Sequence, residues 1–379
     1  MPRTLIVTND FPPRQGGIEA FVQAVADRFP ADEVVVHTSA MPGSAELDAT
    51  LPYPVVRDRR TTLLPTARVR REVLETFRTY ECDRVVFGAS APLALLAPAL
   101  REAGAQRIVG ITHSAETWWA RVPGVRRVIR TAGEATDHVT FINDWCRDII
   151  ARPMTPAARD RMRRLHPGAD VTRFRPDNGG AEVRARLGIA PDAPVVVCAA
   201  RLVARKGQDL LVRAWPTVLA SVPGAVLLIV GDGSARRPVE KLVARHGVGD
   251  SVILTGPLPW AEVPPYVDAG DVFAMPSRTR LMGLEPEGLP LAFFEGAATG
   301  LPVIVGRSGG APDAIEEGVT GYVVDPRDPA DIAARIVELL EDPEKARRMG
   351  AAGRERVARD WTWDEVAQTL QGYLGLPRA

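Results

Sequence analysis

Glu287 and Glu295 stand in E-x7-E spacing within Glu287-Gly288-Leu289-Pro290-Leu291-Ala292-Phe293-Phe294-Glu295. Gly288, Leu289 and Pro290 read as a turn that opens a helix, and the free backbone N–H groups at such a start can hold phosphate. That places Glu287 at the mouth of a cleft and Glu295 roughly two helical turns inward. Among Ala292, Phe293, Phe294, Ala297 and Ala298 a carboxylate is costly to bury without a partner, and ribose hydroxyls would serve as one. The competing reading is an amphipathic helix with a solvated glutamate.

Arg201 and Lys206 fall in Arg201-Leu202-Val203-Ala204-Arg205-Lys206-Gly207, beyond an apolar run and ahead of a helical pattern. Two cations there suit a diphosphate, the guanidinium by its forked donors and the ammonium as a point charge. A solvated basic loop is the plainer alternative. His113 follows the apolar run Ile108–Thr112 and could donate a hydrogen bond to a sugar hydroxyl, although a lone histidine is more often structural. Gly16 and Gly17 follow the first apolar run and open a helix, so an anion could approach the backbone closely, or the pair could be a plain tight turn. Arg121, Arg126, Arg127 and Arg130 form a basic stretch, the last three at helical spacing, that suits either an anionic lipid surface or ordinary solvent.

Alternating strands and helices must position these residues. Apolar runs at 4–8, 34–37, 84–87, 107–112 and 139–142 read as buried parallel strands. Helical spacing at Ile18, Phe21, Val22, Val25 and Phe29 follows the first of them. A second series has strands at 194–200, 226–230, 251–254, 272–275 and 302–305, with helices over 210–220 and 238–246. This is an α/β chain of two doubly wound, Rossmann-like domains. Their strand carboxyl ends are expected to face a central cleft, where ligands bind. The polar, breaker-rich segment Arg175–Gly180 reads as the linker. It divides an N-terminal domain, 1–176, from a C-terminal domain, 177–360, while a helix over about 361–379 is expected to pack back on the first.

The 379 residues carry 47 Lys plus Arg and 47 Asp plus Glu, so there is no basic excess to suggest a nucleic-acid partner. Cys82, Cys146 and Cys198 stand apart, without metal-ligand spacing, and neither a disulfide framework nor a metal site is expected. Met1-Pro2-Arg3-Thr4 leads directly into a strand, and no apolar run reaches the ~20 residues of a membrane span. The expectation is a cytoplasmic protein able to touch the inner face of the plasma membrane peripherally.

Taken together, Thr8-Asn9-Asp10-Phe11-Pro12-Pro13-Arg14-Gln15-Gly16-Gly17-Ile18, Arg201 with Lys206-Gly207, Gly231-Asp232-Gly233, Glu287–Glu295 and Gly300-Leu301-Pro302-Val303-Ile304 resemble the family 4 glycosyltransferases. Leu165-His166-Pro167-Gly168-Ala169-Asp170 through Phe174-Arg175-Pro176 is similar to that family's interdomain signature. Within the family, Phe87–Leu95, Arg201–Asp209, Phe273–Arg280 and Ser308–Pro312 are similar to the actinobacterial mannosyltransferases of phosphatidylinositol mannosides. The resemblance implies a GT-B fold with an acceptor-binding domain over 1–176 and a sugar-nucleotide-binding domain over 177–360, retaining transfer of a hexose, GDP-mannose as donor substrate, a lipid or glycolipid acceptor and no tightly bound cofactor. It implies that His113 contacts the transferred sugar, Glu287 a sugar hydroxyl and Glu295 the ribose. Arg201 and Lys206 hold the diphosphate, helped by backbone at Gly16, Gly17 and Gly288–Pro290. It further implies front-face attack, with the leaving phosphate taking the acceptor's proton. The chain departs from the pattern at Glu19, at Ser114-Ala115 and at Arg280-Leu281-Met282-Gly283-Leu284-Glu285-Pro286. Three alternatives stay open: a UDP- or ADP-linked donor with another acceptor, a non-catalytic sugar-nucleotide-binding regulator, and a nicotinamide-dependent oxidoreductase. The last is disfavoured because the dinucleotide glycine fingerprint is incomplete.

Overall fold

A computed structural model describes residues 3–14 and 16–377. Gln15 of the loop named above lies outside the described residues, as does the far end of the expected C-terminal helix. The chain divides into two compact units, Met1–Gly168 with Trp363–Ala379, and Ala169–Thr362.

In the first unit the described residues form one seven-stranded sheet: β1 (Arg3–Thr8), β2 (Val34–Ser39), β3 (Val55–Asp58), β4 (Cys82–Phe87), β5 (Arg107–Gly110), β6 (His138–Phe141) and β7 (Met162–Arg164). Their order is β3-β2-β1-β4-β5-β6-β7, and every neighbouring pair is parallel. A parallel sheet is covered on both faces, which is why its central strands are continuous apolar runs. Leu5, Val35, Val85, Phe87 and Ile108 accordingly share one buried cluster with Val73, Phe77 and Leu100. Three helices bear on the site: α1 (Gly17–Ala26), α2 (Glu116–Arg121) and α3 (Arg126–Ala135).

The helix Trp363–Tyr373 returns to this unit. Its Gln371 side chain donates to the Arg28 carbonyl at 3.1 Å, and Asp364 pairs with Arg28 at 2.5 Å. Trp363 meets Phe21 of α1 edge-on, with ring centroids 5.4 Å apart.

The second unit has six parallel strands among the described residues: β8 (Val195–Ala199), β9 (Val226–Val230), β10 (Val252–Leu254), β11 (Val272–Met275), β12 (Val303–Gly306) and β13 (Gly321–Val324). The order is β10-β9-β8-β11-β12-β13. Helices α4 (Gln208–Ser221), α5 (Arg236–His246) and α6 (Leu291–Ala298) follow β8, β9 and β11.

Two features differ from the reading of the sequence. Strands β3, β7 and β13 are additional. Each is short and lies at or next to a sheet edge, so none needs a long apolar run. The division also falls at Gly168/Ala169, ahead of the polar Arg175–Gly180 segment. That segment is tied into the second unit, because the backbone N–H groups of Asn178 and Gly180 both donate to the Asp268 carboxylate, at 2.7 and 2.8 Å. Composition marks it as a linker, but satisfied hydrogen bonds fix it.

Phe21 is buried against both Trp363 and His113, so it joins the returning helix to the loop after β5. Phe21→Ala is expected to lower the unfolding free energy of the first unit by about 3–5 kcal/mol in urea denaturation. A loss below about 1 kcal/mol would mean that this contact does not hold the helix.

Candidate functional site

In each sheet the strand order reverses about a central strand. β1 lies between β2 and β4, and β8 between β9 and β11. Loops leaving the carboxyl ends of two such neighbours part to opposite sides and open a crevice. In the first unit these are the loops after β1 and β4; in the second they are those after β8 and β11.

The second unit's crevice is built around Glu287. Its carboxylate is buried, with Oε2 2.9 Å from Lys206 Nζ and 3.4 Å from Arg205 Nε. Its backbone is clamped as well: its N–H donates to Ser308 Oγ at 3.0 Å and its carbonyl accepts from the Gly310 N–H at 3.1 Å. The loop after β8 reaches it because Gly207, at φ 81°, lies against β11's exit, where a Cβ would stand 2.2 Å from the Pro276 carbonyl oxygen. Gly309, at φ 54°, likewise leaves no room for a Cβ, which would fall 2.1 Å from the Glu287 carbonyl oxygen. Both ion pairs are off the hydrogen-bonding direction. Glu287 Oε2 and Arg205 Nε therefore keep unfilled hydrogen-bonding capacity among the described residues, as does the buried Ser277 hydroxyl. Buried polar atoms ordinarily find a partner in protein, ordered water or a ligand.

Glu295 lies on α6, whose N-terminus at Pro290 has no side-chain cap. Gly288, Leu289 and Pro290 are buried ahead of it. Glu295 is half-buried, and its carboxyl is pushed up to about 7 by burial, opposed by a hydrogen bond from the Trp260 indole and by the charges of Arg173 and Lys206. Arg173 stacks on the Trp260 ring, 3.6 Å from its centroid. Arg201 is exposed, with no ion pair among the described residues, and its carbonyl accepts from the Gln208 side chain at 3.3 Å.

In the first unit His113 is buried at the exit of β5, edge-on to Phe21 with centroids 5.3 Å apart. Nε2 lies 2.9 Å from the Gly88 carbonyl oxygen. A carbonyl only accepts, so Nε2 carries the proton and, in the neutral ring, Nδ1 is an acceptor. Burial lowers the imidazole pKa, opposed by that hydrogen bond and by the charges of Asp10 and Glu19. Glu116 accepts the His113 backbone N–H at 2.8 Å; burial raises its carboxyl to about 7. Gly16 and Gly17 open α1 as read, with Glu19 folded over Gly16 and open space above Gly17.

The structure thus joins Lys206, Glu287 and Glu295 in one network and places His113 beside α1. One expectation needs correction: the neutral His113 ring has no free N–H to donate, because the Gly88 carbonyl takes it. The plainer alternative of a solvated basic loop does not hold for Lys206, because Glu287 pairs with it. Arg126, Arg127 and Arg130 are exposed on α3, and Arg130 pairs with Glu134 at 3.0 Å. Sequence spacing did not single out Arg205, Trp260, Arg173 or Glu116. Arg205 adjoins a chosen lysine, and Glu116 sits three residues after His113, near the start of a helix. Trp260 and Arg173 come from separate loops and carry no common signal. Among the described residues no group of three or more His, Cys, Asp or Glu gathers to hold a metal, and no helix is long and apolar enough to cross a membrane.

Paired parallel α/β units with cations and glutamates at their switch points are the architecture of GT-B glycosyltransferases. The model of glycosyl transferases group 1 matches residues 181–356, and that of glycosyltransferase family 4 matches residues 15–173. The chain belongs to this family. It is 42% identical over 99% of its length, and 98% of the relative's, to the GDP-mannose-dependent alpha-(1-6)-phosphatidylinositol monomannoside mannosyltransferase of Mycobacterium tuberculosis. It is 38% identical over 98% of its length, and 97% of the relative's, to the corresponding enzyme for the monoacylated lipid from Corynebacterium glutamicum. Among solved structures, Anabaena HepE in complex with UDP superposes with a TM-score of 0.84 at 20% identity, covering 98% of this chain and 99% of that one.

Because the Glu295 pKa lies above its ordinary 4.5, the folded state keeps a proton that the unfolded chain has released. Unfolding free energy therefore falls as pH rises from about 4.5 through about 7. In Glu295→Gln the loss of stability between about pH 5 and about pH 8, read by urea denaturation, is expected to be smaller than in wild type. An unchanged pH dependence would contradict this environment for Glu295.

Proposed function

We propose that this glycosyltransferase moves mannose from GDP-mannose, with retention of configuration, to a phosphatidylinositol mannoside acceptor at the inner face of the membrane. The observation that carries the reading is the Lys206–Glu287 pair at the switch point of a chain that is similar to named mannosyltransferases over its full length. In the second unit, Arg201 and Lys206 neutralise the diphosphate, and the uncapped N-terminus of α6, after Gly288, Leu289 and Pro290, adds backbone N–H groups and positive potential. Glu295 accepts from the ribose hydroxyls, which favours its ionised form. Glu287, with hydrogen-bonding capacity left at Oε2, accepts from a hydroxyl of the sugar. In the first unit, Gly16 and Gly17 offer backbone to phosphate. His113 accepts a sugar hydroxyl at Nδ1 rather than donating to it.

The chemistry asked of these groups is electrostatic. The bond from the sugar's anomeric carbon to the phosphate oxygen breaks, and a bond to the acceptor oxygen forms on the same face. The acceptor's proton passes to the departing phosphate oxygen. Negative charge grows on the diphosphate as that bond lengthens, and fixed cations in a partly dry crevice stabilise it more than water does. The exposed arginines of α3 give the first unit a basic face for peripheral contact with an anionic membrane.

Nucleotide identity is tested by thermal shift with GDP, UDP and ADP and their sugars. At ~100 times its dissociation constant a ligand stabilises by about 2.7 kcal/mol. A response to GDP and GDP-mannose, reduced in Glu295→Ala, is expected; a response confined to UDP or ADP compounds overturns the mannose donor. In Lys206→Ala, turnover of GDP-mannose is expected to fall by about 10²- to 10³-fold. A fall of less than about threefold would remove Lys206 from the transition state.

A further inference from the structure

The loop after β8, helices α4 and α5 and the segment Arg278–Glu285 enclose a cavity of about 640 Å³. Six cations line it: Arg205, Arg213, Lys241, Arg245, Arg278 and Arg280. Only two carboxylates, Asp209 and Glu285, face them, and both are engaged. Asp209 pairs with Arg278 at 2.9 Å; Glu285 pairs with Arg280 at 3.1 Å and Arg205 at 3.6 Å. Arg213, Lys241 and Arg245 are exposed and make no ion pair among the described residues. Lys241 and Arg245 are one turn apart on one face of α5, with the apolar Val239 and Leu242 lining the same cavity. Cations gathered without counter-charge repel one another, and a bound anion relieves that repulsion.

Beside the cavity stands a tight hairpin. Arg280 and Glu285 exchange backbone hydrogen bonds, at 3.0 Å from the Arg280 N–H and 3.2 Å from the Glu285 N–H. The turn between them holds Leu281, Met282 and Leu284 in solvent, 63%, 102% and 44% exposed. Leu281 and Met282 have φ of 49° and 51°, a left-handed conformation that large side chains avoid and that gathers at functional sites. These apolar side chains gain free energy only when something outside the chain removes them from water.

A small soluble anion would use the cations and leave the apolar tip in water. An uncharged apolar partner would use the tip and leave the cations unmatched. A membrane surface of anionic phospholipid satisfies both at once, with phosphates at the level of the cations and acyl chains beyond. We infer that the second unit docks on an anionic bilayer through this surface, the Leu281–Leu284 tip entering the interface and the cavity cations receiving lipid phosphates. This rests on the peripheral membrane contact proposed above and assigns it a surface on the second unit, while standing apart from the transfer reaction.

The test is co-sedimentation of the full chain with vesicles of about three parts phosphatidylcholine to one part phosphatidylglycerol, beside pure phosphatidylcholine vesicles. Two variants probe the surface: Leu281→Asp with Met282→Asp, and Arg213→Glu with Lys241→Glu and Arg245→Glu. A third reverses Arg126, Arg127 and Arg130 to glutamate on α3. Wild type is expected to bind the anionic vesicles, less so as salt is raised, and each cavity or tip variant to bind at least about tenfold more weakly. The proposal is overturned if wild type stays in the supernatant, if it binds neutral vesicles equally, or if only the α3 variant loses binding. Thermal shift with GDP on each variant reports folding and donor binding separately. Loss of vesicle binding with the GDP response kept supports the docking surface. A wild type that binds vesicles but no nucleotide counts against the transfer reading alone.

Discussion

The second unit's crevice depends on one buried carboxylate. Glu287 belongs to the loop after β11, yet the cations that compensate it, Lys206 and Arg205, come from the loop after β8. The Ser308 hydroxyl and the Gly310 backbone N–H, from beyond β12, close the third side by holding the Glu287 backbone. A charge buried at this depth is tolerated only with such partners, and removing one leaves the other exposed to the full desolvation penalty. The carboxylate ties its own loop to the loop after β8, and the Glu287 backbone ties that loop to the one after β12, so this single residue links all three. It also holds Lys206 near Glu295, whose ionisation that lysine favours. Cations already placed in this way are the condition for stabilising a growing negative charge without reorganisation.

The first unit solves a different problem by similar means. His113 is kept neutral by burial and fixed in one tautomer by the Gly88 carbonyl. Phe21 packs against its ring and Glu116 holds its backbone. The result is a rigid acceptor, with its orientation set by elements far apart in the chain. Asp10 and Glu19, both from the β1–α1 region, add negative potential around it.

Much of this was legible in the sequence, because parallel strands buried on both faces write themselves as apolar runs and the glycine-marked loops follow them. Strands such as Val226–Val230 and Val272–Met275 need no tertiary information to be read. The edge strands β3 and β13 were illegible because each is only four residues long, too short for an apolar run to stand out from the flanking loops. The chosen site residues were found at strand exits. Their roles were less legible, because role depends on partners: whether Lys206 is solvated or paired, and which His113 nitrogen is free, are properties of Glu287 and Gly88. Trp260 and Arg173 stack and act on Glu295 from different loops, a proximity that no local spacing encodes.

The most direct measurement is the product itself. The purified chain, incubated with GDP-mannose and phosphatidylinositol monomannoside, should release GDP in step with lipid mannosylation. Proton NMR of the new glycosidic linkage should show the α configuration of the donor preserved. A β-configured product would contradict same-face transfer, and GDP-mannose left intact in the presence of that acceptor would contradict the mannosyltransferase account.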